Sequence, residues 1–226
     1  MIVVAIFLLL FFVVIPDTIL SSNATEQINS ITTNNANANI NDLISQGYIS
    51  ISRGNFSQAI TYFDIVLKLQ PNNFIALNGK DASLIELGNY SQAISYSDKV
   101  LAIAPNYTGA LNNKGLALAA LGNYSQAITC FDKALLINSD DTDALNGKGY
   151  TFLNLGNYSK SVVYSDKVLK LEPNNIPALI NKGTALSSLG NYPQAIGYFD
   201  KVLKIQPNNV KALNGKNTAL EKLEKK

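Results

Sequence analysis

Histidine and tryptophan are absent from this chain, and cysteine and methionine occur once each. Without histidine there is neither the commonest general base at neutral pH nor the commonest metal ligand. The serines have no imidazole to activate them, which excludes a Ser-His-Asp hydrolase. The single Cys130 can form no internal disulfide. Lysine and arginine are missing before Arg53, the formal net charge is only +2, and no basic block tracks a phosphate backbone, so nucleic acid is not an expected partner. Gly147-Lys148-Gly149 lacks the upstream glycine and the following Ser or Thr of a phosphate loop. No catalytic residue, metal or cofactor is expected, and the chain is not read as an enzyme.

What is present is repetition. Gly-Asn-aromatic triplets stand at Gly54-Asn55-Phe56, Gly88-Asn89-Tyr90, Gly122-Asn123-Tyr124, Gly156-Asn157-Tyr158 and Gly190-Asn191-Tyr192, each step being 34 residues. Pro71, Pro105, Pro173 and Pro207 keep the same phase, with Ser139 in the third copy's place. A strict period of this size marks a solenoid of stacked units, none of which buries its apolar face alone.

Within the copy 108–141, Ala110, Leu111, Leu118 and Leu121 share one helical face before Gly122-Asn123 breaks it. Ala127, Ile128, Phe131, Ala134 and Leu135 then form a second amphipathic stretch. Each unit is thus predicted to be an antiparallel helix pair. Ala59, Ala93, Ala127 and Ala195, with Ser161 substituting in the fourth copy, mark the close crossing of the two helices. The asparagine before each second helix is read as its N-cap, and the proline after it as its stop. Cys130 occupies the place of Tyr62, Tyr96, Tyr164 and Tyr198 and reads as a small packing residue.

Ahead of the repeats, Ile2 to Ile15 is an unbroken apolar run. Fourteen helical residues span roughly 21 Å, less than a ~30 Å hydrocarbon core, and Pro16 and Asp17 interrupt the run. Two readings fit residues 1–20: a secretory signal with cleavage near Ser22-Asn23-Ala24, or an uncleaved membrane anchor. Either makes the protein exported or membrane-anchored at the cell envelope, with the membrane as a partner if the segment stays. Residues 21–39, rich in Asn, Ser and Thr, read as a polar flexible linker carrying an accessible sequon at Asn23-Ala24-Thr25.

The in-phase residues Gly47, Gly115, Gly149 and Gly183, the aromatics Phe56, Tyr90, Tyr124, Tyr158 and Tyr192, the alanines and the prolines resemble the tetratricopeptide repeat. The resemblance covers five units, 40–73, 74–107, 108–141, 142–175 and 176–209, followed by a charged capping helix over 210–226. It departs at the fourth place, Leu instead of Trp, and at Asp81, where the other units carry Gly. It implies an all-α, right-handed superhelical solenoid, here preceded by an N-terminal hydrophobic helix.

The resemblance also implies that places two, five, nine, twelve and thirteen of each unit face an inner groove. On those places stand Tyr48, Asn78, Asn112, Asn146, Tyr150 and Asn154, the candidate peptide-groove residues. A row of asparagine amides could hold an extended peptide backbone without reading its side chains. The basic clamp that grips chaperone C-terminal tails is missing, which disfavours an anionic tail as ligand. The expected function is a protein-interaction scaffold for a peptide or partner protein; the alternative is a structural component of a cell-envelope complex acting through solenoid stacking. The recurrent Asp64, Asp98, Asp132, Asp166 and Asp200 read as structural, forming i,i+4 pairs with Lys68, Lys170 and Lys204 on a solvated face. Lys80, Lys114, Lys148, Lys182 and Lys216 are expected to lie over apolar neighbours with the ammonium in water.

Overall fold

A computed structural model describes residues 39–225 of the chain. The apolar run, the cleavage pattern and nearly all of the polar linker lie outside them. Two compact units divide the chain, 1–42 and 43–226. Of the first, only 39–42 are described, and they are helical; the packing below is that of the second.

Among the described residues there are eleven helices and no strand. Helix α1 runs over 39–52, and α2 (Phe56–Leu69), α3 (Phe74–Glu86), α4 (Tyr90–Ile103), α5 (Thr108–Ala120), α6 (Tyr124–Ile137), α7 (Thr142–Asn154), α8 (Tyr158–Leu171), α9 (Ile176–Ser188), α10 (Tyr192–Ile205) and α11 (Val210–Glu224) follow. Odd-numbered helices open the units and even-numbered ones close them. Each helix from α3 on packs against the one before it, and successive first helices also touch (α3 on α5, α5 on α7, α7 on α9, α9 on α11). Among the described residues no second helix meets the next second helix. The first helices therefore crowd together, and the side they line is the inner one.

The turns inside the units are built by glycine. Gly54, Gly88, Gly122, Gly156 and Gly190 all have φ between 74° and 80°, a conformation that costs other residues roughly 1–2 kcal/mol. The reversed chain lets Asn89 N–H donate to the Leu84 carbonyl at 2.8 Å, and the same bond recurs in each later unit. The asparagine after the glycine serves the turn and not the cap: Asn55, Asn89, Asn123 and Asn191 accept no capping hydrogen bond, and only Asn157 does. Side-chain capping falls instead to the last residue of the first, third, fourth and fifth units, where Asn73, Asp141, Asn175 and Asn209 accept from the backbone N–H three residues on. Nor is proline required as the stop. The second helix of the third unit, followed by Ser139, has the same 14 residues as the others.

The core has two kinds of layer. Phe63, Phe131 and Phe199 are fully buried, each ring clamped between a glycine of its own first helix and one of the next. A Cβ built on Gly115 or Gly147 would stand 2.7 or 2.3 Å from the Phe131 ring, so neither place tolerates a side chain. In the second and fourth units the same place holds the buried Ser97 and Ser165. The clamping places there carry Asp81 and Asn113, or Gly149 and Asn181.

The recurrent aspartates do pair with lysines, but across units. Asp64 bonds Lys80 at 2.5 Å, Asp98 bonds Lys114 at 2.6 Å, Asp132 bonds Lys148 at 2.5 Å, Asp166 bonds Lys182, and Asp200 bonds Lys216 at 2.7 Å. No i,i+4 pair with Lys68, Lys170 or Lys204 forms among the described residues. The reason is burial. A lysine on a first helix lies in the seam between units, where its ammonium needs a counter-charge, while Lys68, Lys170 and Lys204 on the last turns reach water.

Candidate peptide groove on the first helices

Every sequence-predicted groove residue lies on a first helix, but the structure sets them in different surroundings. Asn146 and Tyr150 of α7 wall an open recess of about 850 Å³ over α5, α7, α9 and α11. Tyr48 and Asn78 stand together at the other end, where the Tyr48 hydroxyl donates to the Ile75 carbonyl at 3.4 Å beside the Asn78 side chain. Burial pushes the Tyr48 hydroxyl's pKa above its ordinary value, although Asn78 acts to lower it. Asn154 is exposed, its amide turned back onto the Tyr150 carbonyl at 2.9 Å. Asn112 is buried at 5% exposure.

The asparagine row ties the stack together. Asn112 Nδ2 donates to both carboxylate oxygens of Asp141 at 3.1 Å, and Asp141 simultaneously caps α7 through the Ala144 N–H at 2.9 Å. Asn146 Nδ2 donates to Asn175 Oδ1 at 3.1 Å, and Asn175 caps α9 in the same way. The fifth place of one unit is thereby joined to the start of the next. Where the cap residue is Tyr107, which offers no such acceptor, Asn78 turns to Asn113 and accepts its amide at 3.3 Å.

The recess itself is more apolar than the asparagines suggested. Leu116, Tyr150, Leu153, Pro177, Ile180 and Val210 line it, with Asp143 and Lys211 as its charged groups. Burial raises the Asp143 carboxyl above its ordinary range, and repulsion from Asp141 and Glu172 adds to that. Apart from Val210, at the first place, these residues occupy places two, five, nine and twelve, the same places that the resemblance turns to the groove. The signal stands in the sequence, but the repeated amide overshadows the leucines and isoleucine beside it.

On the outer side, each seam lysine sits beneath an aromatic ring where one is available. The ammonium groups of Lys80, Lys148 and Lys182 lie 4.7, 4.6 and 4.4 Å from the ring centroids of Tyr96, Tyr164 and Tyr198. Their side chains are 14, 8 and 13% exposed, against 27% for Lys114, whose unit has Cys130 in the tyrosine's place. Burial alone would lower the Lys148 pKa, but the bonds to Asp132 and Tyr164 outweigh it and leave the lysine raised. Cys130 is buried, and burial pushes its thiol up and away from reactivity. Among the described residues no three His, Cys, Asp or Glu side chains are grouped to hold a metal ion. None of the described helices is long and apolar enough to cross a membrane.

Comparison with known proteins places this geometry. Models described as tetratricopeptide repeat match residues 46–108, 109–141, 142–175 and 176–209, a continuous run over most of the chain. No curated protein sequence matches. Among solved structures, TTC0263, a thermophilic TPR protein of Thermus thermophilus, superposes with a TM-score of 0.73 at 21% identity, covering 80% of this chain and 99% of that one. PilW, a type IV pilus biogenesis factor, gives 0.67 at 21% identity over 81% and 90%. YrrB, a TPR protein with an unusual peptide-binding site, gives 0.54 at 22% identity over 77% and 90%. At such identities the likeness is one of fold.

Proposed function

This chain belongs to the tetratricopeptide-repeat family, and from that premise we propose that it is a non-catalytic scaffold binding a peptide or partner protein in the groove of a right-handed superhelix. The recess over α5, α7, α9 and α11 carries the reading. It offers an apolar floor of Leu116, Leu153 and Ile180, an amphipathic wall in Tyr150, and one charge of each sign in Asp143 and Lys211. Such a floor suits a peptide with an aliphatic or aromatic anchor side chain, and the two charges fix its direction. Tyr48, Asn78, Asn112, Asn146 and Asn154 complete the groove face, with Asn112 and Asn146 supporting it from below. The peptide-binding site in the name of YrrB supports a groove use of the fold. Residues 1–20 deliver the protein to, or hold it at, the cell envelope.

Peptides selected from a displayed random library against the full chain test this reading. Replacing both Leu116 and Tyr150 by Ser should weaken the selected peptides at least tenfold while circular dichroism is unchanged. Peptides that bind the double variant equally well would sink the groove. Changing Asn112 or Asn146 would be a poorer test, since it would also loosen the stack.

A second reading, assembly through stacking, has one observation in its favour. Leu213 and Leu220 of α11 are 39 and 37% exposed, whereas their counterparts in the second to fifth units are 1–9% exposed. The face that a second helix covers elsewhere is open there. PilW, by its name, acts in pilus biogenesis, which agrees with an assembly role. If Leu213→Asp with Leu220→Asp leaves sedimentation at micromolar concentration unchanged because the parent is already monomeric, this reading fails.

A further inference from the structure

Asp81 is the one place where an ionisable side chain replaces a clamping glycine. It is fully buried in α3, where the other units have Gly47, Gly115, Gly149 and Gly183. Its Oδ2 accepts from the Ser97 hydroxyl of α4 at 2.6 Å, and its Oδ1 makes no hydrogen bond. The Asn113 amide of α5 lies beside the same carboxyl. That amide also donates to Asn78 Oδ1 at 3.3 Å, and the Asn78 side chain lies beside the Tyr48 hydroxyl. A line of side chains thus runs from a sealed carboxyl to two groove residues.

The charged groups of the helices packed on α3 are engaged elsewhere. Asp64 of α2 holds Lys80, Asp98 of α4 holds Lys114 of α5, and Lys99 of α4 lies over Tyr96. Lys68 of α2 makes no ion pair among the described residues. Among the described residues no cation pairs with Asp81, and the charge that does act on it, Asp98, repels its ionised form. An ionised carboxylate without a counter-charge is costly in a dry layer.

We propose that Asp81 is a proton-operated switch at the joint of the second and third units, which sets how Asn78 and Tyr48 are presented to the groove. With the proton on, the layer closes and Asn113 holds Asn78. With the proton lost to water, the carboxylate draws the Asn113 amide to itself, freeing Asn78 and Tyr48 and loosening the joint. This deepens the groove reading and rests on it only for the meaning of Asn78 and Tyr48.

Burial is the largest influence and pushes the carboxyl up to about 7 from an ordinary 3.8, against the lowering by Ser97 and Asn113. The folded chain therefore binds a proton that the unfolded chain does not between about 4 and 7. Stability from this group is complete below that window and lost as pH rises through it, the unfolding constant growing up to about tenfold per pH unit.

The test needs no groove ligand, so its failure is separate from failure of peptide binding. In the full chain, the Asp81 carboxyl ¹³C signal and the side-chain amide signals of Asn78 and Asn113 are followed by NMR from about pH 4 to 9, alongside urea unfolding. Expected are a common midpoint near 7 and a pH-dependent unfolding constant that becomes flat, relative to the parent, in Asp81→Asn. Asp81→Gly gives the second comparison, restoring the residue of the other units. An Asp81 midpoint below about 5, close to that of an ordinary carboxyl, overturns the switch. Asn78 and Asn113 signals that ignore a midpoint near 7 overturn its link to the groove.

Discussion

The phenylalanine layers and the serine layers occupy equivalent places in one fold, yet they solve the packing problem in opposite ways. Around Phe131, bulk comes from one ring and the neighbouring helices give way with glycine on both sides. Around Ser165, the side chain is small, Gly149 has only ordinary contacts of 3.6 Å and beyond, and Asn181 stands where a clamping glycine would be. Both Ser161 and Ser165 hydroxyls are buried there without a hydrogen-bond partner. A unit is therefore not the packing element. The element is a second-helix residue with one place on each flanking first helix: the rings have glycine at both, whereas each serine faces an asparagine on the next first helix.

Deleting the ring should have the largest effect. Phe131→Ala is expected to cost about 3–5 kcal/mol, as for a fully enclosed aromatic, whereas Ser165→Ala should be neutral or slightly stabilising because it removes an unmatched hydroxyl; equal losses in chemical denaturation would erase the distinction. Next come two glycines on the same helix. Gly147→Ala forces a methyl to 2.3 Å from the Phe131 ring and should destabilise by about 1–3 kcal/mol or more. Gly149→Ala meets nothing closer than 3.6 Å and should stabilise by roughly 0.5–1 kcal/mol through helix propensity. Melting temperatures that move the same way for both would break the layer model. The smallest effect belongs to the outer seam. Cys130→Tyr should place a ring over Lys114 and add about 0.5–1 kcal/mol, visible as reduced access of Lys114 to an acylating reagent; unchanged access would show that the tyrosines do not shield the lysines.

Much of this was legible in the chain itself. The 34-residue step, the helix pairs and the glycine turns follow from local rules, because a positive-φ turn and an apolar stripe need no distant partner to be recognised. The ion pairs escape such local rules for the complementary reason. Asp64 and Lys68 are neighbours on a helix, but Asp64 and Lys80 become neighbours only when two units stack, and the buried cation has the stronger demand for a partner. The groove residues show the same divide. Asn112 looked like a ligand-facing amide, yet Asp141, 29 residues on, takes both its contacts.

The sequence alone determined the period, the two helices of each unit and the glycine turns between them, since these depend on composition and short-range pattern. Tertiary structure alone decided which asparagines support the stack, where the groove turns apolar, and that Asp81 is sealed from water among Ser97 and Asn113. Burial and counter-charge are properties of surroundings, and surroundings exist only after helices distant in the chain have packed.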